Sequence, residues 1–187
     1  MGIDDAFITP RTSSKIYSLP KKAIAINISQ YIDKKFIPVI YQLACNLKDK
    51  GYAPIFTYFQ GEIELIKQCS HDEFPAYNFD KPEDLALFYS QVYASIGMRY
   101  HSTIFGLAGG KPTVNIYITE YQKNKLEAIQ QETGIPNFMA HAPTINATDL
   151  TNTLLEAIKT QPPYLQKIND EWRQKANLAI KYLEILK

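Results

Sequence analysis

A chain of 187 residues with 45% hydrophobic, 12% aromatic and 21% charged residues can bury one substantial core and falls short of what two full domains usually need. Lys plus Arg number 20 against 19 Asp plus Glu, a formal charge of +1, so no field of one sign is available to hold a nucleic acid or an anionic membrane; any anion must be bound locally. Cys45 and Cys69 lack the spacing of a zinc site or a disulfide framework and read as buried free thiols in a reducing compartment.

The opening Met1–Ala6 is acidic where a secretory signal is basic, and no apolar run approaches membrane-spanning length. A cytoplasmic protein without stable membrane insertion is expected. After a polar lead, Ala23–Ile28 is short and nearly all apolar, as strands buried on both faces of a parallel sheet are. Ile37, Ile40, Tyr41, Ala44 and Leu47 follow at helical steps, with Pro38 in the first turn and Gly51 placed to end the helix. Tyr52–Tyr58 predicts a second strand, Ile63, Leu65 and Ile66 a short helix, Ala76–Phe79 a third strand, and Pro82 opens a helix through Leu85 and Phe88. Val92–Met98 predicts a fourth strand, Ser102–Leu107 a helix closed by Gly109 and Gly110, and Pro112–Tyr117 a fifth strand. A helix from about Tyr121 to Thr133, a short strand at Asn137–Ala140 and a helix carrying Leu150, Leu154, Leu155 and Ile158 complete the alternation. About six strands alternating with helices predict an α/β fold with a Rossmann-like, doubly wound parallel sheet. Beyond Pro162 and Pro163, over about 163–187, Leu165, Ile168, Trp172, Ala176, Ala179, Leu183 and Leu186 put an apolar stripe along one helix. That stripe covers either its own domain or, in part, a partner.

In such a sheet the ligand crevice lies beyond the carboxyl ends of the strands, so the first polar residues after each strand are candidates. These are Asn27, Ser29 and Gln30, then Tyr58 and Gln60, then Arg99, His101, Ser102 and Thr103, then Tyr117 and Glu120. The third group is the dense one. Arg99-Tyr100-His101-Ser102 follows an apolar strand and opens a helix, so a planar cationic fork, an imidazole and free helix amides converge where an anion can be bound. The imidazole can act there as base or acid near neutral pH. The structural alternative is that Arg99 pairs with a carboxylate across the domain and Ser102 caps the helix. Gly106–Lys111 is glycine-rich before a lysine, yet Phe105 and Pro112 occupy the places where a phosphate-binding loop needs Gly and Ser or Thr. No GxGxxG fingerprint follows the first strand, no metal set is visible, and no cofactor is required. His71-Asp72 and His141 read as surface residues, and the sequons at Asn27 and Asn146 carry no meaning in a cytoplasmic chain.

The run from Ala94 to Tyr117 resembles the signature of the polysaccharide pyruvyl transferase family: a strand ending Ile96-Gly97-Met98, then Arg99-Tyr100-His101, an apolar helix, Gly110-Lys111-Pro112 and a strand ending at Tyr117. A family lysine lies further on, and Lys123 or Lys125 is its counterpart. Asp4-Asp5-Ala6-Phe7 and Ile26-Asn27-Ile28-Ser29 are also similar to the family's second half, so the resemblance covers most of the chain. It implies a glycosyltransferase-B-like fold of two lobes across a cleft. Residues 1–187 would supply the C-terminal lobe alone, an N-terminal lobe being absent or lying on a partner chain.

The implied activity is transfer of the pyruvyl group of phosphoenolpyruvate to a saccharide acceptor as a ketal, in exopolysaccharide or cell-surface polysaccharide biosynthesis. The resemblance then makes Arg99 and the amides after it the anion clamp and His101 the proton carrier. The Lys123–Lys125 segment supplies charge against departing phosphate. Asn27, Ser29, Ser102, Thr103 and Tyr117 stand as further substrate contacts. The alternatives are the donor lobe of a sugar-nucleotide glycosyltransferase, with Glu120 as ribose ligand, and a non-catalytic binding fragment. The isolated chain is expected to be inactive without the other lobe.

Overall fold

The computed structural model of the chain describes residues 9, 15–59 and 61–185. Asp4-Asp5-Ala6-Phe7 and Gln60 therefore lie outside the described residues, as do the side chains of Ala176, Ala179, Leu183 and Leu186. In chain order come β1 (Ala23–Asn27), α1 (Ile37–Asp49), β2 (Ala53–Tyr58), α2 (Ile63–Ser70), β3 (Ala76–Asn78), α3 (Pro82–Gln91), β4 (Ala94–Gly97) and α4 (Tyr100–Ala108). They are followed by β5 (Thr113–Tyr117), α5 (Glu120–Thr133), β6 (Met139–His141), α6 (Ala147–Thr160) and α7 (Pro162–Ile185).

The strands form one all-parallel sheet in the order β3-β2-β1-β4-β5-β6. The chain builds outward from β1 to β3, crosses back beside β1 with β4, and builds outward again. Helices fill both faces because alternate residues of β1 point to opposite sides: Ile24 and Ile26 join the core under α1, α2 and α6, whereas Ala23 and Ala25 join the core under α3, α4, α5 and α7. A strand buried on both faces has no polar side to show, which is why β1 is apolar from Ala23 to Ile26 and turns polar only at Asn27, its carboxyl end.

Local chemistry sets most boundaries. At the head of α5, Thr119 Oγ1 accepts the Gln122 N–H at 3.3 Å while Gln122 Oε1 accepts the Thr119 N–H at 3.2 Å, a reciprocal cap. Asn146 Oδ1 accepts the Asp149 N–H at 2.9 Å at the head of α6. Where boundaries depart from the sequence reading, the cause is a neighbouring backbone state. Val92 closes α3, so β4 begins only at Ala94; Asn137 takes a left-handed φ of 51°, which delays β6 to Met139.

The last helix lies on its own domain through its first turns. Leu165, Ile168 and Trp172 are buried, and two polar side chains reach the carbonyls ending α4: Asn169 Nδ2 donates to Leu107 O at 2.9 Å and Arg173 Nη2 to Ala108 O at 3.4 Å. Cys69 is buried, and that burial pushes its thiol up to about 12. Cys45 departs from expectation in being only half-buried. Among the described residues, no helix is long and apolar enough to cross a membrane.

Candidate active site

The sheet order reverses between β1 and β4, which places a crevice beyond their carboxyl ends. A row of residues crosses the sheet there in register: Thr57 pairs with Asn27, Asn27 with Gly97, and Gly97 with Asn115. Asn27 Nδ2 donates to Thr57 O at 3.0 Å and to its Oγ1 at 3.2 Å, and Thr57 Oγ1 lies 3.2 Å from the Tyr89 hydroxyl. Asn115 Nδ2 donates to Thr103 Oγ1, which bonds to Arg99 O at 3.3 Å. Ser102 Oγ is buried beside the Tyr89 hydroxyl without a hydrogen bond of good geometry.

This polar row is the seat of α4. The space among Asn27, Tyr89, Gly97, Ser102 and Thr103 is too tight to hold a water, so Asn27, Ser102 and Thr103 lie beneath the helix rather than on the crevice wall. Ser102 is an interior helix residue and not the cap; the cap position belongs to Arg99, whose side chain makes no capping bond.

Gly97 is what lets β1 and β4 close. A Cβ there would stand 2.8 Å from both the Cβ and the carbonyl oxygen of Asn27. Gly97→Ala is therefore expected to destabilise the protein by roughly 1 to 3 kcal/mol through overpacking. A urea titration would show a lower midpoint at unchanged slope, and an unmoved midpoint would mean that the strands part without cost.

On the open side of that seat stand the residues with solvent access. Arg99 donates through Nη2 to Glu62, its Cζ lies 5.1 Å from the centre of the Phe59 ring, and 31% of its side chain remains exposed. Arg99 thus pairs with a carboxylate, as the structural alternative held, and the pairing sits beside the carboxyl ends of β1, β2 and β4. His101 is exposed in the first turn of α4, its ring set edge-on to Tyr100 at 5.7 Å between centroids. Four N–H groups at a helix start have no partner within the helix, so the start of α4 presents donors and the positive end of its dipole beside Arg99 and His101.

The two candidate lysines differ. Lys123 is held along its own helix by Glu120 at 3.5 Å and Glu127 at 3.7 Å, and Glu120 foremost raises its affinity for its proton. Lys125 places its ammonium 5.6 Å from the Tyr100 ring centre and 4.7 Å from that of Tyr121, and hydrogen bonding to Tyr121 holds it above the usual lysine range. Lys125 thus stands beside the head of α4, whereas Lys123 does not come to it.

Ser29 is buried in the turn after β1, where its Oγ accepts the Tyr31 N–H at 3.4 Å. Tyr117 stacks on His141 at 4.9 Å between centroids, so His141 is half-buried at the end of β6 rather than on a free loop. His71 ends α2 in a left-handed conformation and stacks on Tyr41 at 3.9 Å, away from this site. Among the described residues no three His, Cys, Asp or Glu side chains gather as a metal site.

Sequence reasoning missed Glu62. The candidates after β2 were Tyr58 and Gln60, and the carboxylate two residues beyond Gln60 was the available signal.

A family model described as polysaccharide pyruvyl transferase matches residues 1–120, a span that includes Arg99 and His101 and ends before either lysine. No curated protein matches the chain. Solved structures share the fold. The glycotransferase of kitacinnamycin aligns at 15% identity with a TM-score of 0.64 over 90% of this chain and 45% of its own. The glycosyltransferase SnogD from Streptomyces nogalater aligns at 18% identity and 0.62 over 94% and 48%, and the spinosyn rhamnosyltransferase SpnG at 12% and 0.62 over 88% and 46%. The chain spans about half the length of these structures.

Proposed function

The chain belongs to the polysaccharide pyruvyl transferase family, and on that premise we propose that it serves to move the pyruvyl group of phosphoenolpyruvate onto a saccharide, as one lobe of a two-lobed transferase. The observation that carries this reading is the convergence of the Arg99 guanidinium, the exposed His101 and the N-terminus of α4 at the switch point of the sheet.

Phosphoenolpyruvate carries a carboxylate and a phosphate on one small frame, which a planar fork and helix amides match in charge and geometry. A proton added to the methylene carbon makes C2 electrophilic. Two sugar hydroxyls then form bonds to C2 and release their protons, the C2–O bond to phosphate breaks, and the products are a pyruvate ketal and inorganic phosphate. His101 carries the proton to the methylene carbon or takes one from an attacking hydroxyl. Lys125 adds positive charge near the departing phosphate. The saccharide is held across the cleft by the second lobe, in the same or a partner chain, because catalysis depends on fixing both reactants together.

The test is binding of phosphoenolpyruvate by titration calorimetry. Arg99→Ala should lose roughly 1.5 to 3 kcal/mol, about one to two decades of affinity. Equal affinity in variant and parent would remove Arg99 as the anion clamp. Binding of a nucleoside diphosphate sugar in place of phosphoenolpyruvate would turn the reading to a glycosyltransferase donor lobe.

A further inference from the structure

Glu62 begins the turn into α2 with its side chain only 1% exposed. Its Oε1 accepts the Gln30 N–H at 3.2 Å as well as Arg99 Nη2, and its Oε2 accepts the Phe59 N–H at 3.0 Å. Gln30 follows β1, Phe59 follows β2 and Arg99 follows β4, so a single carboxylate ties together three strand ends around the switch point. Burying a carboxylate is costly unless each oxygen is paired, and here both oxygens are.

The consequence falls on Arg99. An arginine side chain is long and rotamer-rich, and ordering it only when a ligand arrives weakens binding. Glu62 takes Nη2 and the Phe59 ring covers the guanidinium plane at 5.1 Å, so the fork is oriented before any anion enters while 31% of the side chain stays open.

We propose that Glu62 is a positioning residue that acts through Arg99, holding the guanidinium pre-aimed at the anion of the substrate. The proposal rests on the reading of Arg99 as the anion clamp. Glu62 itself touches no reacting atom; its pairing also neutralises one charge, so recognition depends on the direction of the remaining donors as much as on net attraction.

The chain holds three arginines, Arg11, Arg99 and Arg173, so a protein labelled with nitrogen-15 at arginine gives a readable set of side-chain Nε–H signals. The signal lost in Arg99→Lys belongs to Arg99. In the parent it should be distinct and shift on addition of phosphoenolpyruvate. In Glu62→Ala it should collapse toward the value of a freely rotating arginine, and phosphoenolpyruvate affinity should fall about tenfold. In the Arg99→Lys background, Glu62→Ala should change affinity by less than about twofold, since the effect travels through the guanidinium.

An equal loss in both backgrounds would make Glu62 a loop tie only and overturn the proposal, as would an unchanged Arg99 signal. If Glu62→Ala does not fold, Glu62→Gln carries the same comparison with an expected loss of about threefold. A parent that binds no phosphoenolpyruvate overturns the anion-clamp reading and this role with it; a parent that binds, with Glu62 variants that bind equally, overturns this role alone.

Discussion

Gln161→Leu should melt roughly 6 to 20 °C below the parent, by the scale of about 2 to 4 °C per kcal/mol for a domain of this size. Gln161 is 0% exposed at the junction of α6 and α7. Its amide does what a strand would do: Oε1 accepts the Thr113 N–H at 2.7 Å and Nε2 donates to Thr113 O at 3.0 Å. Nε2 also reaches Pro136 O at 2.9 Å. β6 begins only at Met139, opposite Asn115, so the first residue of β5 has no strand beside it on that edge and takes a side-chain amide instead. Leucine fills a similar volume and leaves a buried N–H and two carbonyls without their partner. At about 1 to 3 kcal/mol for each stranded group, a loss on the order of 3 to 5 kcal/mol is expected. Calorimetric melting checks it, and a shift of less than about 2 °C would mean that water satisfies the backbone once the amide is gone. Thr113 also bonds through its hydroxyl to Ser95 at 3.0 Å, so the same change should loosen the β4–β5 pair on which α4 is seated.

His101→Ala, in protein supplied with the second lobe, should lower kcat by about a hundred- to ten-thousandfold while phosphoenolpyruvate affinity stays within about threefold. The split follows from position. Arg99 is held by Glu62 and Phe59, which suits the anchoring role proposed for it, whereas His101 is exposed one step into α4, with an edge-on contact to Tyr100. A group that moves a proton must reach a reacting atom and must not be consumed in holding the anion. Equal losses of binding and turnover would make His101 a substrate-holding residue and pass the proton transfer to another group. The 187-residue chain by itself should release no phosphate at a useful rate, because one wall of a cleft cannot hold both reactants; robust turnover by it alone would defeat the two-lobe reading.

The elements were legible in the sequence because their causes are local. β1 could be read from the four apolar residues Ala23 to Ile26, α1 from Pro38 and Gly51 at its two ends, and α4 from its apolar second half, Ile104 to Ala108, before Gly109 and Gly110. The alternation of these elements led to the doubly wound sheet, since consecutive parallel strands require a crossover and the crossover has one hand. The place of the candidate site was legible for the same reason: ligands meet such sheets beyond the strand ends, and the dense polar group there was Arg99 to Thr103.

Where each candidate side chain lies was a matter of tertiary structure. Asn27, Ser102 and Thr103 read as crevice residues because they follow strands, yet β1 and β4 run side by side under α4, and the closeness allowed by Gly97 turns those side chains inward as its seat. Lys123 and Lys125 are two residues apart and alike in sequence; the rotation of α5 against α4 brings only Lys125 over Tyr100. Glu62 and Arg99 are separated by 37 positions, and Gln161 and Thr113 by 48, so nothing in their neighbours along the chain announces either pair. Local hydrogen bonds and hydrophobic periodicity act over a few residues and leave their mark on composition. The pairing of a buried charge or amide depends on which strand ends lie side by side, and that is settled only when the sheet order β3-β2-β1-β4-β5-β6 is formed.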